Sequence, residues 1–581
     1  MIDARFPWRT VVVSICLLGM MGCQAKNKGD RQVDVEDSDA PIKLDPVTEQ
    51  AWSKRGFYVT IRPDENGRFR RIPELLTIFA TDADLRDLPP VNVPFVLSLD
   101  QSPITDEGLK GLSDFRTIDT LYLAGTKITD AGLTELRNLK DLTGLGLANT
   151  QITDEGLKEL SGFEKLEFLN LAYTRVTDKG LRELKDLKNL NHLFLSEDQL
   201  TDVGLKNLHE IGLAHAIHEA TTNTWQRPKS NEDVVSLDLS KTNITHVGLN
   251  ELKDLKKLTS LKLAESKISV SAMRTLREIE LFHAWSEASN ASGQRPRSLD
   301  EVVKLDLSPK PAFRQTAKKS QLLVRAEISD EAIKVLKNIN NLAVLNLSET
   351  QITDEGLKEL KDLNNLTTLN LRRTSITDAG FDELKQLPNL TSLDVRDTMI
   401  TDVALKDLKY FKKLSSLELE LTDSRLRILC ELELLHLWAG ATTATDQRPK
   451  SMQEIVHLAL FGPGISDVGI ARLPNLKNLV DLELSRTQIT DAGLNDLKKF
   501  ESLTHLILSN TSITDKGLRH LGTLKRLTML SLNSTQITDI GLKELKDLSA
   551  LEWLGLHNNT QISDSAFKEL QGALPKCRVG R

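Results

Sequence analysis

The chain has 581 residues, of which 40% are apolar, 27% are charged and 4% are aromatic. This is the composition of an ordinary soluble protein, with leucine rather than aromatic residues supplying the core. The net charge of -7 and the pI near 6.0 argue against a general nucleic-acid binder, which would usually be basic, so we expect no nucleic-acid partner.

The N-terminus predicts an export signal. Two arginines precede an apolar run at residues 11–21, which is too short to span a bilayer but suits the core of a signal peptide. Met20-Met21-Gly22-Cys23 resembles the lipobox of bacterial lipoproteins. The resemblance implies that residues 1–22 are removed and that Cys23 carries a lipid anchor to a membrane of the cell envelope. Gln24 favours the outer membrane by the same resemblance. The alternative is an ordinary secretory signal with an incidental cysteine.

Two short regions follow the signal. Residues 23–44 are mostly polar and highly charged, which predicts a flexible tether. Asp45 as N-cap and Pro46 at the first helical position then predict a helix, followed by a hairpin. We expect residues 45–94 to cap the open end of the array that comes next. The two hairpin strands and the turn between them are predicted at residues 56–61, 69–72 and 63–67.

From residue 95 onward the chain repeats a unit of 24 residues. In one copy, residues 366–371 read LTTLNL, the alternation of a short strand with one buried face. After a turn, apolar residues recur every third position from Phe381 to Leu387, which predicts an amphipathic three-turn helix with Thr377 as its N-cap. One strand and one helix cannot bury their leucines alone, so the copies must stack on each other.

The middle leucine of the strand pattern recurs seventeen times, and we expect seventeen parallel strands with a last edge strand near Arg578. The consensus LxxLxLxxTxITDxGL resembles the leucine-rich repeat family, in particular its cysteine-containing subtype. The resemblance implies an α/β solenoid, a curved horseshoe with a parallel β-sheet on its concave face and helices on its convex face. The middle leucines are residues 97, 121, 145, 169, 193, 237, 261, 305, 345, 369, 393, 417, 458, 482, 506, 530 and 554.

Three steps between these leucines are longer, because one module of fixed length is inserted at about residues 209–236, 277–304 and 430–457. Each module predicts an extended helix through an Ala-rich stretch, a loop at the motif Gln-Arg-Pro, and a second short helix. One interpretation is a functional protrusion that carries the motif's arginines. The other, which we favour, is a bulkier convex side with buried, hydrogen-bonded histidines. The arginines, histidines and helix-capping serines are Arg227, Arg295 and Arg448; His215, His283 and His436; and Ser230, Ser298 and Ser451.

The sequence offers little for catalysis or metal binding. It contains no phosphate-binding loop, no nucleophile elbow and no HExxH motif, so we expect a protein that is not an enzyme, with no cofactor and no metal. His215, His218 and Glu219 share a helical face, but the other modules lack the second histidine, which favours a structural role. Cys430 and Cys577 fall six repeat steps apart, too far for a disulfide. The basic segment 309–327 is interpreted as an exposed loop.

The residues that flank each strand leucine are the candidate binding residues, because the leucine-rich repeat resemblance implies ligand binding on the concave face. One group is aromatic, and a second group mixes arginines with carboxylates next to Asp394. The alternative is that all of them are solvated sheet positions. The candidates are Tyr122, Phe168, Tyr173, His192 and Phe194 in the first group, and Arg372, Arg373, Arg396, Glu418 and Glu420 in the second.

These patterns lead to three functional hypotheses. The first is a lipid-anchored, non-catalytic scaffold of the cell envelope that binds a protein partner through its concave face. The second is a carbohydrate- or peptidoglycan-binding envelope protein that uses the same aromatic residues. The third is a structural envelope protein that associates with itself.

Overall fold

The computed structural model describes residues 42–60, 72–77, 79–218, 220–222, 224, 226–263, 269–285, 288–308 and 328–580. Cys23, the predicted tether as far as residue 41, the turn 63–67 and the segment 309–327 lie outside the described residues.

The described residues contain short strands at the predicted 24-residue interval. In chain order, β1 to β23 are Tyr58–Thr60, Glu74–Leu76, Phe95–Ser98, Ile118–Tyr122, Gly144–Gly146, Phe168–Asn170, His192–Phe194, Ala220–Thr221, Ser236–Leu239, Ser260–Leu263, Ala288–Ser289, Lys304–Asp306, Val344–Asn346, Thr368–Asn370, Ser392–Asp394, Ser416–Glu418, Ala441–Thr442, His457–Ala459, Asp481–Glu483, His505–Ile507, Met529–Ser531, Trp553–Gly555 and Arg578–Gly580.

The helices follow the strands and are short. In chain order, α1 to α17 are Pro46–Ser53, Asp106–Leu109, Asp130–Glu135, Asp154–Leu157, Asp202–Glu210, His246–Leu249, Val270–Glu278, Asp330–Leu336, Asp354–Lys358, Asp378–Glu383, Asp402–Leu405, Asp423–Glu431, Asp467–Arg472, Asp491–Leu494, Asp515–Leu521, Asp539–Leu542 and Asp564–Ala573. In many repeats a 3-10 helix continues the α-helix, for example Leu384–Gln386 after α10.

The predicted strands and their register are confirmed. All seventeen middle leucines lie in strands, and Leu345, Leu369, Leu393 and Leu417 pair in succession on neighbouring parallel strands. Leu369 is 1% exposed. The leucines therefore form one stacked core between the sheet and the helices, and the side chains on either side of each leucine face the concave surface.

The parallel sheet is interrupted at each inserted module, so the described strands form four sheets, β1–β7, β8–β10, β11–β16 and β17–β23. Each module contributes one short strand, β8, β11 or β17, that runs antiparallel to the next repeat strand. Just before it, Ile217, Trp285 or Trp438 forms a parallel bridge to the preceding repeat strand. The chain reverses direction between these two contacts.

This geometry corrects the prediction for the modules. The helices α5, α7 and α12 end at Glu210, Glu278 and Glu431, and the Ala-rich stretch turns back into the sheet instead of extending the helix. The motif's arginines do not form a protrusion. Each guanidinium donates to carbonyl oxygens of the reversal, as Arg448 does to Ala439 and Trp438. Because the arginine lies nine or ten residues after these carbonyls in the chain, its hydrogen bonds tie the motif to the reversal and help to hold it closed.

The favoured interpretation expected three buried, hydrogen-bonded histidines, and His215 meets this expectation. His215 is 4% exposed, and its Nδ1 lies 3.1 Å from the carbonyl oxygen of Gly212. His283 and His436 are partly buried. Burial lowers the pKa of all three.

The repeat helices are shorter than the predicted three turns, and a ladder of hydrogen bonds explains the ThrAspxGly motif. Asp491 accepts from the backbone N–H and the hydroxyl of Thr514 in the next repeat, at 2.8 and 2.6 Å. The same threonine caps its own helix by accepting from Lys516 N–H. A Cβ at Gly517 would collide with the Asp491 carboxylate, so this position requires glycine.

This aspartate ladder has two gaps among the described residues. It runs from Asp82 to Thr245 and resumes at Asp330, because His246 and Val270 stand where the intervening aspartates would be. It stops again at Asp402, which contacts Arg425, and resumes at Asp423. Helix packing continues across the first gap, since α7 contacts both α6 and α8.

A helix and an antiparallel strand cover the N-terminal end of the solenoid. β1 pairs antiparallel with β2, and β2 pairs parallel with β3, with Leu75 opposite Leu97. The second strand of the hairpin was predicted at residues 69–72. The strand that pairs with β1 is instead β2, Glu74–Leu76. Trp52 of α1 is fully buried, with its ring 4.8 Å from that of Phe57.

Both described cysteines, Cys430 and Cys577, are free, as predicted. Burial raises the pKa of the Cys430 thiol to about 11. Within the described part of the chain, no helix is both long enough and apolar enough to cross a membrane.

Candidate functional site

Four of the five aromatic-group candidates meet on neighbouring strands of the first sheet. The register places Phe168 opposite His192, and Tyr122 in the same row as Phe194. Between them, β5 contributes Gly144 and Gly146, which have no side chains. The rings can therefore lean across β5.

The rings of Tyr122, Phe168 and Phe194 form one contiguous cluster. The Tyr122 and Phe168 centroids are 6.1 Å apart, and those of Phe168 and Phe194 are 5.6 Å apart, both edge to face. All three side chains are half-buried. A Cβ at Gly146 would lie 2.8 Å from Cδ1 of Tyr122, so the glycine leaves the space that this ring occupies. We call Tyr122, Phe168, Phe194 and His218 the aromatic cluster.

His218 was not predicted to belong to this surface, but the first module brings it there. Its ring stacks on Phe194 at 3.6 Å and on His192 at 4.9 Å. Arg227 holds the reversal that carries His218 by donating to the carbonyl oxygens of His218 and Ala220. The other two modules have Ser286 and Ala439 at the equivalent position in the sequence, so the first module alone supplies a ring there.

His192 was expected on the exposed surface, and the structure corrects this. It is 6% exposed, because Phe194 and His218 cover it, and its Nε2 lies 2.6 Å from Nδ1 of His218. Burial, with the nearby charge of Arg227, lowers the pKa of His192 to about 3 and that of His218 to about 4. Both rings are therefore neutral at neutral pH, and one of the two nitrogens donates to the other.

Tyr173 does not join the cluster. It lies in the turn after β6, is 72% exposed and has a φ of 58°. The structure gives Tyr173 no ring contact with Tyr122, Phe168 or Phe194 among the described residues.

The candidates of the charged group form a network across β14, β15 and β16. Arg396 binds both oxygens of Asp394, at 3.0 and 2.6 Å, and contacts Glu418 at 2.5 Å. Asp394 is 8% exposed, so its charge needs this partner. We call these residues, with Arg372, Arg373, Asp397 and Glu420, the arginine network.

The other two arginines of the network are also paired. Arg372 and Arg373 both donate to Asp397, and Arg373 also donates to Glu349 at 2.9 Å. The hydrogen bond with Arg372 lowers the pKa of Asp397, whereas the hydrogen bond with Asp397, followed by burial, raises the pKa of Glu420. Each arginine of this network thus already has a carboxylate partner within the chain.

The described residues contain no group of three or more histidine, cysteine, aspartate or glutamate side chains arranged to hold a metal ion. The pair His192 and His218 has an arginine beside it, which would repel a cation.

Sequence comparison agrees with the repeat geometry. Models of the leucine rich repeat match residues 501–562, 164–185, 338–361 and 362–384. These matches coincide with strand and helix units that stack in register. The chain is a leucine-rich repeat protein. None of the curated proteins is significantly similar to it in sequence.

Three solved structures illustrate the similarity of this leucine-rich repeat protein to others. An internalin from Listeria monocytogenes is 21% identical, with 77% of this chain and 88% of that chain covered and a TM-score of 0.24. A plant peptide hormone receptor, RGFR1, in complex with RGF2 is 12% identical, with 89% and 93% covered and a TM-score of 0.29. The TLR13–ssRNA13 complex is 16% identical, with 85% and 70% covered and a TM-score of 0.32.

At these TM-scores the matches carry no argument about the ligand of this chain. The expectation of no nucleic-acid partner rested on net charge alone, and it stays a prediction. Leucine-rich repeat proteins are generally non-catalytic scaffolds that commonly bind proteins.

Proposed function

We propose that this protein is a non-catalytic scaffold of the cell envelope that binds a protein partner through the aromatic cluster on its concave face. The observation that supports the proposal is the exposed part of three rings held side by side on β4, β6 and β7. Large aromatic side chains on rigid strands bury much surface at little entropic cost, which is typical of interface anchors.

Localisation is part of the proposal and rests on the sequence at Cys23. A lipid on this cysteine would anchor the protein in a membrane of the envelope, with the outer membrane favoured by Gln24. Replacing Cys23 by Ala is expected to move the protein from the membrane fraction to the soluble exported fraction. If wild type and variant fractionate alike, the anchor is wrong.

A double variant tests the aromatic cluster. Phe168→Ala with Phe194→Ala is expected to abolish most proximity labelling of the partner in native cells, while the melting temperature changes little because both rings are half-buried. The matched control is Ile507→Ala with Met529→Ala, which removes two large concave side chains from β20 and β21. Equal loss of labelling in both double variants, or in neither, would contradict the proposal.

The second candidate function is carbohydrate binding by the same rings, since half-exposed aromatic faces also stack on sugars. A glycan array with the purified protein separates the two functions. A glycan signal that the double variant loses would replace the protein partner by a carbohydrate. The third hypothesis, self-association, predicts that light scattering shows a mass that rises with protein concentration.

A further inference from the structure

A second regular set of hydrogen bonds ties successive repeats together where the chain leaves the helices and returns to the strands. In five repeats an asparagine four residues before the middle leucine donates its side-chain N–H to a backbone carbonyl of the preceding repeat, at 2.7 to 2.8 Å. Ser502 does the same to Lys477 at 2.7 Å. We call this set the amide tether. The five asparagines are Asn189, Asn341, Asn365, Asn389 and Asn478.

Four repeats have a cation at this position, and three of these cations are paired. Lys165 contacts Asp141 at 2.5 Å, and Lys257 lies 3.8 Å from Asp233. Lys413 donates to Asn389 at 2.5 Å. Each partner occupies the same position in the preceding repeat. A lysine can therefore replace the tether when the preceding repeat offers an acceptor.

Arg526 is the fourth cation and has no such acceptor. The residue at the same position in the preceding repeat is Ser502, whose hydroxyl donates to Lys477. In the part of the chain that the structure describes, Arg526 forms no hydrogen bond or ion pair. The carbonyl of Glu501, which an asparagine at position 526 would reach, also receives no tether.

A cleft opens where the tether is missing. It has a volume of about 310 Å³ and lies between the loops that lead into β20 and β21. Its floor is apolar, formed by Phe500, Leu503 and Leu524, which are at most 8% exposed. Its rim is charged, with Lys498 and Lys525 beside Arg526 and Glu501 as the only acidic residue of the lining.

The positive charges of the rim are not neutralised by carboxylates among the described residues. Lys498 Nζ contacts the amide oxygen of Asn495 at 2.8 Å, and Lys525 Nζ contacts the carbonyl oxygen of Asp547 at 3.3 Å. Three cations against one acid give this cleft a positive charge in a protein whose net charge is -7. Neighbouring cations repel each other unless an anion lies between them.

We propose that this cleft binds an oxyanion of the phosphate class, with Arg526, Lys525 and Lys498 as its ligands. Arg526 supplies the planar pair of donors that matches two phosphate oxygens, and the lysines supply point charges on either side. The apolar floor excludes water from one side of the anion and so strengthens these interactions. The bound oxyanion can be a free phosphate or the phosphate of a lipid headgroup.

The decisive variant is Arg526→Asn, because asparagine restores the tether that five other repeats use. It is expected to fold at least as well as the wild type, by its melting temperature, while losing the anion site. The control is Lys413→Asn, which makes a similar change at the same position of a repeat whose cation is already paired. Both are made in the full chain, and inorganic pyrophosphate is titrated by isothermal calorimetry at low salt.

The wild type and Lys413→Asn are expected to bind one pyrophosphate with the same affinity, and Arg526→Asn is expected to bind at least about tenfold more weakly. Absence of saturable binding to the wild type, or an equal loss in both variants, would overturn the proposal. A second arm uses flotation with phosphatidylglycerol and phosphatidylcholine vesicles. Binding to phosphatidylglycerol vesicles that Arg526→Asn abolishes supports the site and assigns a lipid headgroup, whereas pyrophosphate binding without flotation supports the site and assigns a free phosphate.

Discussion

The aromatic cluster and the arginine network lie on the same face of the same solenoid, but they differ in how far their side chains are already paired within the chain. In the arginine network each guanidinium already contacts a carboxylate, so a partner would have to break an ion pair for each new one it formed. In the aromatic cluster the rings of Tyr122, Phe168 and Phe194 contact one another edge to face and remain partly exposed, although His218 covers one face of Phe194. Rings that keep exposed apolar surface can bury it against a partner, whereas arginines already paired within the chain gain little from a new contact. The aromatic cluster is therefore the better candidate for binding.

The largest expected effect tests whether the two surfaces are independent. Leu369→Asn places a polar group in the core beneath the arginine network and should cost about 4 kcal/mol of local stability. Because each repeat contacts only its neighbours, hydrogen exchange should speed up between residues 344 and 418 and not between residues 120 and 194. Leu145→Asn should give the reverse pattern. Uniform loss of protection in either variant would show that the surfaces are coupled.

The next effect concerns the buried carboxylate of the arginine network. Arg396→Ala leaves Asp394 without its partner, and we expect a loss of about 2 kcal/mol in the free energy of unfolding, measured with urea. Binding of the partner should not change. Weaker binding of the partner to this variant would mean that the partner contacts the arginine network as well as the aromatic cluster.

A smaller effect of pH should appear at the aromatic cluster. Histidine has a pKa near 6.5 in an unfolded chain, and the folded pKa values of His192 and His218 are about 3 and about 4. The neutral rings thus contribute stability above pH 6.5 that is lost as the pH falls toward 4. We expect a loss of about 1 kcal/mol at pH 5.5, discounted for partial exposure. Thermal unfolding of His192→Gln with His218→Gln should depend less on pH in this range, and an unchanged pH dependence would contradict the assignment.

The smallest effect is expected for the exposed part of the arginine network. Arg372→Ala removes a contact with Asp397 that Arg373 can still supply, and both groups are solvent-accessible. The change in unfolding free energy should stay below about 1 kcal/mol and should disappear in high salt. A loss as large as that of Arg396→Ala would show that this surface is more tightly organised than its exposure indicates.

The leucine period predicted every repeat strand, because alternate burial fixes both the strand and its face. It did not predict the helix length, because the same apolar period continues through the 3-10 helix that follows many of the α-helices, as at Leu384–Gln386 after α10. The short strand β8 also escaped prediction, since two residues have no period. The consequence was greatest at the binding surface, where β8 and its reversal bring His218 onto Phe194 and bury His192.

A signal for His218 was nevertheless present in the sequence. Ile217, Trp285 and Trp438 occupy one position of the module, and apolar residues of this size belong in a core. Had they been assigned to the sheet, the next residue would have been placed on the concave face. Tyr173 stands apart from the cluster because it lies in the turn after β6 and not in the strand, and its distance from Phe168 in the sequence gave no sign of this.

Photo-crosslinking from single concave positions tests the central claim most directly. A benzoylphenylalanine at position 194, in the aromatic cluster, and one at position 507, the equivalent residue of β20, are compared in native cells. We expect a discrete crosslinked protein from position 194 and none from position 507. Crosslinking from position 507 with none from position 194 would place the partner elsewhere on the concave face and contradict the account.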